Sequence, residues 1–353
     1  MNATFPTCSA LVLSVPLALL ASACGAASLP RVALEHDRAG AEHLAAGRLD
    51  EAEARFRLAL EYQPGFAEAH ANLGLVALAR GRLADAEQHL QTAVDLNSDF
   101  ALAWADLGVV HERMAERAPE RLREARRDYE EALSIDPGQT GARRNLSFLL
   151  ARESLFVEAR AHLLRLAELT PTDAEALGVL AWCELRLGRP VVAEERAAHA
   201  LEVDPEAASP RLVRGAARAQ RGDLDGAAED LSRAADRSVL GHEARVRFAT
   251  VEALRGRTAE ADALVRDLLS EDEFDAGVRL AAAVVALSRD DGAEARRQAE
   301  AAVRLRPDLR DARTLLARIC RVEGDSPCAD RALAPLAADE RQAALPAVPV
   351  DAP

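Results

Sequence analysis

The stretch that decides the fold runs from Ala67 to Phe100, AEAHANLGLVALARGRLADAEQHLQTAVDLNSDF. It contains two amphipathic segments separated by a turn at Gly81, and the first segment carries the pair Leu73 and Gly74. The second segment spaces small and large apolar residues at helical intervals, at Ala86, Leu90 and Ala93. This pattern predicts a helix-turn-helix unit whose two helices approach each other closely.

The same spacing recurs before and after this stretch almost without a break, and the unit resembles a tetratricopeptide repeat. Such units begin near residues 33, 67, 101, 140, 174, 208, 242, 276 and 310. The third unit carries extra residues around MAERAPER between its two helices, where a solenoid tolerates insertions. The resemblance implies an all-α fold over residues 33–338, a right-handed superhelix (α-solenoid) of about nine repeats.

Composition and charge restrict the classes of fold and partner. Alanine, leucine, arginine and glutamate dominate while aromatic residues are only 3% of the chain, which favours closely packed helices over a β-sandwich or barrel. The formal net charge of −14 argues against a nucleic-acid partner or direct binding to an anionic membrane, since both need clustered Lys and Arg.

The amino-terminal region indicates export. Residues 11–23, LVLSVPLALLASA, form an apolar run that ends before Cys24 and is too short for a bilayer-spanning helix, so residues 1–23 are interpreted as a signal peptide. The residues before Cys24 resemble a bacterial lipobox, although Ala21 stands where a larger aliphatic residue is usual. This resemblance implies that Cys24 is lipidated. Ala21-Ser22-Ala23 also fits a cleavage site that releases a soluble exported protein, and that alternative stays open.

If Cys24 carries a lipid whose acyl chains include palmitate, residues 24–32 form a short tether to the membrane. The resemblance to bacterial lipoproteins, with Gly25 after the cysteine, implies an outer-membrane lipoprotein that faces the periplasm. The alternative is a secreted or periplasmic soluble protein. At the other end, residues 339–353, DERQAALPAVPVDAP, are expected to form a disordered tail, since they carry three prolines and no helical period.

No pattern indicates catalysis. A Gly-rich phosphate loop, a G-x-S-x-G elbow and a Cys-x-x-Cys pair are all missing from the sequence. The His-Glu pairs at His111 and His242 lack the second histidine of a zinc-protease motif. His36, His43, His70 and His111 are expected to pack between helices rather than bind metal. We therefore expect no catalytic residue, metal, cofactor or small-molecule substrate.

The cysteines of the last unit form a candidate disulfide. Cys320 and Cys328 flank the turn of the ninth unit, a geometry that could close a disulfide in an oxidising periplasm. The alternative is two unbridged thiols in the core. Cys183, in the first helix of the fifth unit, is expected to be a small buried thiol.

The candidate binding surface is the concave face, which first helices line in this family. The positions expected to face this groove are Leu75, Leu78, Val109, Glu112, Arg144, Phe148, Trp182 and Leu185. An apolar groove with aromatic residues and one arginine suits an extended or helical peptide with hydrophobic anchors. Alternatively, Phe148 and Trp182 pack against an adjacent helix or the tail. The family's carboxylate-binding Lys and Asn are replaced by Asp37 and Ala41 in the first unit, which argues against that kind of peptide-end recognition.

These features predict a non-catalytic scaffold of the bacterial cell envelope, anchored through Cys24, that binds a partner protein or peptide in the concave groove. The alternative function is a soluble exported adaptor, or an accessory subunit of an enzyme or assembly complex whose catalysis is supplied by another chain.

Overall fold

The structure is a computed structural model that describes residues 30–235 and 241–334. Within these residues it contains eighteen α-helices in nine consecutive pairs and no β-strand. The helices are α1 (Arg31–Ala45), α2 (Leu49–Tyr62), α3 (Ala67–Ala79), α4 (Leu83–Leu96), α5 (Ala101–Met114), α6 (Arg121–Ile135), α7 (Thr140–Arg152), α8 (Phe156–Leu169), α9 (Ala174–Arg186), α10 (Pro190–Val203), α11 (Ala208–Arg221), α12 (Leu224–Ala235), α13 (Gly241–Leu254), α14 (Thr258–Glu271), α15 (Ala276–Leu287), α16 (Gly292–Leu305), α17 (Arg310–Val322) and α18 (Ser326–Leu333).

Each helix packs against its partner within a pair and against the next pair along the chain, and consecutive first helices from α1 to α15 also touch. The predicted all-α solenoid is confirmed. The inserted residues of the third unit lie between α5 and α6. The proposed signal peptide, Cys24 and the tail at 339–353 lie outside the described residues. In the described part of the chain, no helix combines the length and the apolar character needed to cross a bilayer.

Glycines in the first helices set the distance between the two helices of a pair. A Cβ atom added to Gly74 would lie 2.6 Å from Cγ of Leu90, and one added to Gly108 would lie 2.6 Å from Cε1 of Tyr129. Both large side chains are fully buried. The large residue of the second helix therefore occupies the space that a side chain on the first helix would need.

A side chain near the start of several first helices closes the preceding turn. The indole Nε1 of Trp104 donates to the carbonyl oxygen of Ser98 at 2.9 Å, and Arg143 donates to the carbonyl of Pro137 at 2.6 Å. The same contact, always six residues apart, is made by His70, Arg211, Arg279 and Arg313. These bonds satisfy carbonyl groups that would otherwise be left at the joint between two units.

Charged pairs connect consecutive units at the other end of the first helices. Six of the second helices that precede another described unit carry a charged residue at their fifth position: Glu53, Glu87, Arg160, Glu194, Asp262 and Arg296. Their partners lie at the end of the following first helix or in the turn just after it: Arg80, His111, Glu184, Arg218, Arg289 and Glu323. The acidic member comes first at some joints and second at others, so exchanging units would bring like charges together.

The last unit is held by a disulfide between Cys320 in α17 and Cys328 in α18, whose Cα atoms are 5.8 Å apart. Both cysteines belong to the apolar cluster that α15 to α18 share, with Ala317 and Leu333. No tenth pair is described beyond α18. A covalent link here stabilises a unit that, among the described residues, has a neighbouring pair on one side.

We predict that Gly74→Ala lowers the free energy of unfolding by about 1–3 kcal/mol, because the new methyl group overlaps Leu90. In the background of Leu90→Ala, the same glycine substitution should cost much less, since the space is then open. Urea unfolding followed by circular dichroism measures both.

Gly65→Ala is the matched control, because its added Cβ atom lies 3.7 Å from Leu96 and makes only ordinary contact. An equal loss of stability at Gly65 and Gly74, or additive effects of the Gly74 and Leu90 substitutions, would contradict the close-approach explanation.

Candidate partner-binding surface

The first helices of three consecutive units enclose a cavity of about 180 Å³. Its apolar lining comes from Trp182 and Leu185 on α9 and from α11, and its polar residues are Ser209 on α11 with Glu243 and Arg247 on α13. The residues contributed by α11 to the apolar lining are Leu212, Val213 and Ala216. The cavity therefore offers an apolar floor with polar groups around it, the arrangement that suits one anchoring side chain of a partner.

The polar residues of this cavity already interact with each other. Arg247 and Glu243, one helical turn apart on α13, form an ion pair of 2.9 Å, and both side chains are exposed. An exposed pair of this kind contributes little to stability. Its two charges are therefore available to polar groups of a partner.

Five of the predicted apolar groove residues divide into three groups by their position. Trp182 and Leu185 both line the cavity. Leu78 is only 9% exposed and packs with α4 and α5 in the core, whereas Leu75 and Val109 are half-buried. Leu78 therefore contributes mainly to packing between units, whereas Leu75 and Val109 keep part of their surface exposed.

The two polar groove residues are engaged within the chain. Glu112 accepts a hydrogen bond from the Tyr129 hydroxyl at 3.0 Å and pairs with Arg152 at 3.0 Å. Arg144 donates to Asp173 at 3.0 Å, and its guanidinium lies 4.8 Å from the ring centre of Phe148. Arg144 thus covers the half-buried Phe148. The Phe148 ring also packs against the apolar core cluster formed by helices α5 to α9.

The surroundings of Trp182 combine packing and exposure. Its ring meets Phe156 edge to face with ring centres 5.3 Å apart, and the guanidinium of Arg186 lies within 6.0 Å of it. Trp182 remains half-buried and lines the cavity as well. The expectation that it packs against a neighbouring helix and the expectation that it faces a groove are therefore compatible.

A cluster that motif searching missed lies at the joint of the second and third units. His111 of α5 is 4% exposed, and its Nδ1 lies 2.5 Å from Oδ2 of Asp128 on α6. Its Nε2 faces Glu87 of α4 at 3.3 Å and Glu124 of α6 at 3.6 Å. Burial by itself would lower the pKa of His111, but the hydrogen bonds and charges of these carboxylates raise it above its ordinary value.

The other candidate groups hold structural positions. Asp37 accepts a hydrogen bond from Asn72 at 2.9 Å. Cys183 is fully buried, and burial raises the pKa of its thiol to about 12, so it stays a protonated core residue at neutral pH. His36 stacks on Tyr62 with ring centres 5.8 Å apart.

Family models match the chain over most of the helical region. One model described as tetratricopeptide repeat matches residues 38–101, 76–114 and 179–239, and a second with the same description matches residues 117–183. Together they span more than half of the chain. The chain belongs to the tetratricopeptide repeat family. Proteins of this family bind protein or peptide partners.

Solved structures show the same fold at low sequence identity. A tetratricopeptide repeat protein from Parabacteroides merdae is 20% identical, with a TM-score of 0.55 over 72% of this chain and 98% of its own. A chain of the APC/C hetero-tetramer Cut9–Hcn1 is 17% identical, with a TM-score of 0.55 over 79% of this chain and 54% of its own. YrrB, described as having an unusual peptide-binding site, is 20% identical, with a TM-score of 0.43 over 50% of this chain and 89% of its own. No curated protein matches the sequence.

Asp106 of α5 provides a test of the electrostatics of the first helices. Burial raises the pKa of its carboxyl from 3.8 to about 6. Because the folded-state pKa is the higher one, the folded chain binds the proton more tightly, and stability is lost as the pH rises from about 4 to about 6. We predict that Asp106→Asn increases stability at pH 7 by at most about 3 kcal/mol and has no such effect below about pH 4.

The measurement is the difference in melting temperature between wild type and Asp106→Asn across this pH range. Other titrating groups affect both proteins equally and cancel in the difference. A difference that does not change with pH would show that burial does not control this carboxyl.

Proposed function

We propose that this tetratricopeptide repeat protein is a non-catalytic scaffold that binds a segment of a partner protein along its first helices. The segment is extended or helical and inserts an apolar side chain between α9, α11 and α13. The observation that carries the proposal is the cavity floored by Trp182, Leu185 and Leu212, with the exposed charges of Glu243 and Arg247 beside it. An apolar pocket beside a polar rim is the usual form of an energetic anchor in a protein interface.

The binding test uses one variant in the floor and one in the rim. Trp182→Ala removes the largest apolar surface of the floor, and Arg247→Glu reverses an exposed charge without disturbing the core. We predict that each lowers capture of the partner in crosslinking pull-downs from the native cell envelope by about tenfold or more.

The matched control is Phe274→Ala, which removes an aromatic side chain that is 69% exposed in the turn between α14 and α15. Circular dichroism establishes that each variant is folded. The groove assignment fails if the same partner is captured equally by wild type and by both cavity variants, or if Phe274→Ala reduces capture as strongly.

We further propose that the scaffold is attached to the bacterial envelope through a lipid on Cys24, in an outer membrane with the helices facing the periplasm. The support is the sequence alone: an apolar run at residues 11–23 that ends in Ala21-Ser22-Ala23 before the cysteine. Acyl chains, each worth about 0.8 kcal/mol per buried CH₂ group, anchor a protein without a spanning helix.

Detergent phase partitioning of wild type and Cys24→Ala tests this attachment. We predict that wild type enters the detergent phase and that Cys24→Ala stays in the aqueous phase, because the proposed lipid is attached to the thiol of Cys24. Cys183→Ala is the control and should partition like wild type. Aqueous partitioning of wild type would instead support a soluble exported adaptor.

A further inference from the structure

The buried acid of the cluster between the second and third units, Asp128, forms its ion pair with a histidine and not with an arginine. Elsewhere, buried acids are surrounded by arginines: Glu184 contacts Arg160 and Arg189, and Asp230 contacts Arg214 and Arg218. At the second joint, three carboxylates, those of Glu87, Glu124 and Asp128, share a single arginine, Arg121, and the histidine His111. Arg127 adds only a longer-range charge at Asp128. With a neutral histidine, the cluster formed by these five groups carries a net charge of about −2.

The orientation of His111 is fixed by a buried carboxylate. Asp128 is fully buried, and its Oδ2 lies 2.5 Å from Nδ1 of His111. Within the described residues, its Oδ1 has no hydrogen-bond partner. In neutral His111, the hydrogen on Nδ1 donates to Asp128, and the lone pair of Nε2 is directed at the other two carboxylates. A carboxylate behind a histidine is the usual arrangement at protein metal sites.

When His111 is neutral, its Nε2 lone pair faces two carboxylate oxygens, and a cation bound between the three atoms relieves their repulsion. The distances from Nε2 to the oxygens of Glu87 and Glu124 are 3.3 and 3.6 Å, and the three ligand atoms lie within 4.8 Å of one another. Tetrahedral ligands about 2.0–2.1 Å from a Zn²⁺ ion are separated by about 3.3 Å. The donor set of one imidazole and two carboxylates suits Zn²⁺ with water as the fourth ligand.

We propose that Glu87, His111 and Glu124 bind one divalent transition-metal ion, best Zn²⁺, which links the second unit to the third. Arg121 is the competing cation, because its Nη1 contacts Glu87 at 2.8 Å and Glu124 at 2.5 Å. It is the first residue of α6, next to the inserted loop, and its side chain is 29% exposed. It can therefore turn toward solvent when the metal enters.

The competition by Arg121 makes the proposal testable in both directions. Titration of the full chain with ZnCl₂ after treatment with a chelator is followed by calorimetry, and Co²⁺ absorption reports the coordination geometry. We expect one Zn²⁺ per chain at this site. Glu87→Gln and Glu124→Gln should each weaken binding by about tenfold or more, and Asp128→Asn by about 10–100-fold. Arg121→Ala should strengthen binding several-fold, a gain that damage to the fold would not produce.

His242→Ala is the control, because His242 lies beside Asp275 and Glu271 but in a different, exposed group. It should leave binding at the joint unchanged. The proposal is overturned if wild type binds no Zn²⁺, if Glu87→Gln and Glu124→Gln bind it as tightly as wild type, or if Arg121→Ala does not bind more tightly. If circular dichroism shows that a glutamine variant is unfolded, the affinities of Arg121→Ala and Asp128→Asn for Zn²⁺ decide whether the metal binds at this joint.

Discussion

The close approach of the two helices in each pair is the constraint on which the rest of the structure depends. Gly74 and Gly108 lie against Leu90 and Tyr129, and a single additional carbon at either glycine would overlap the large residue. Because the interior of a pair is filled this way, its first helix holds a fixed distance and orientation. The surface formed by successive first helices, including the cavity beside Trp182, is then determined by how the pairs stack.

Stacking in turn depends on polar contacts that differ from joint to joint. Small apolar residues are similar in all units and cannot by themselves distinguish one neighbour from another. The charged pairs do so, since Glu53 meets Arg80 at the first joint while Arg160 meets Glu184 at the fourth. The second joint departs from the arginine–carboxylate pattern because His111 faces Glu87 there. The same edge of the solenoid thus carries charged pairs that differ between joints and provides the proposed metal ligands.

Much of the fold was predictable from the sequence, because the glycine-and-leucine pattern repeats at a fixed spacing and reflects local packing. The site was predictable only in part. Trp182 and Leu185 were identified from their helix positions, but the cavity also needs Leu212 and Arg247 from the next two units. Leu212 occupies the same position in its unit as Arg144 and could have been read from the spacing, whereas Arg247 lies one position later in its unit. The cluster around His111 has no sequence motif, since its side chains come from α4, α5 and α6, and only the stacking of two units brings them together.

The proposed binding of a partner segment at the cavity between α9, α11 and α13 can be tested directly in cells. The most direct measurement is photo-crosslinking in cells from a photoreactive residue placed at Ser209, which lines the cavity, and from one placed at Val157, which is 70% exposed on α8. We expect a discrete crosslinked partner from position 209, lost when Arg247→Glu is added, and none from position 157. The same crosslinked species from both positions, or from position 157 alone, would contradict the proposed binding.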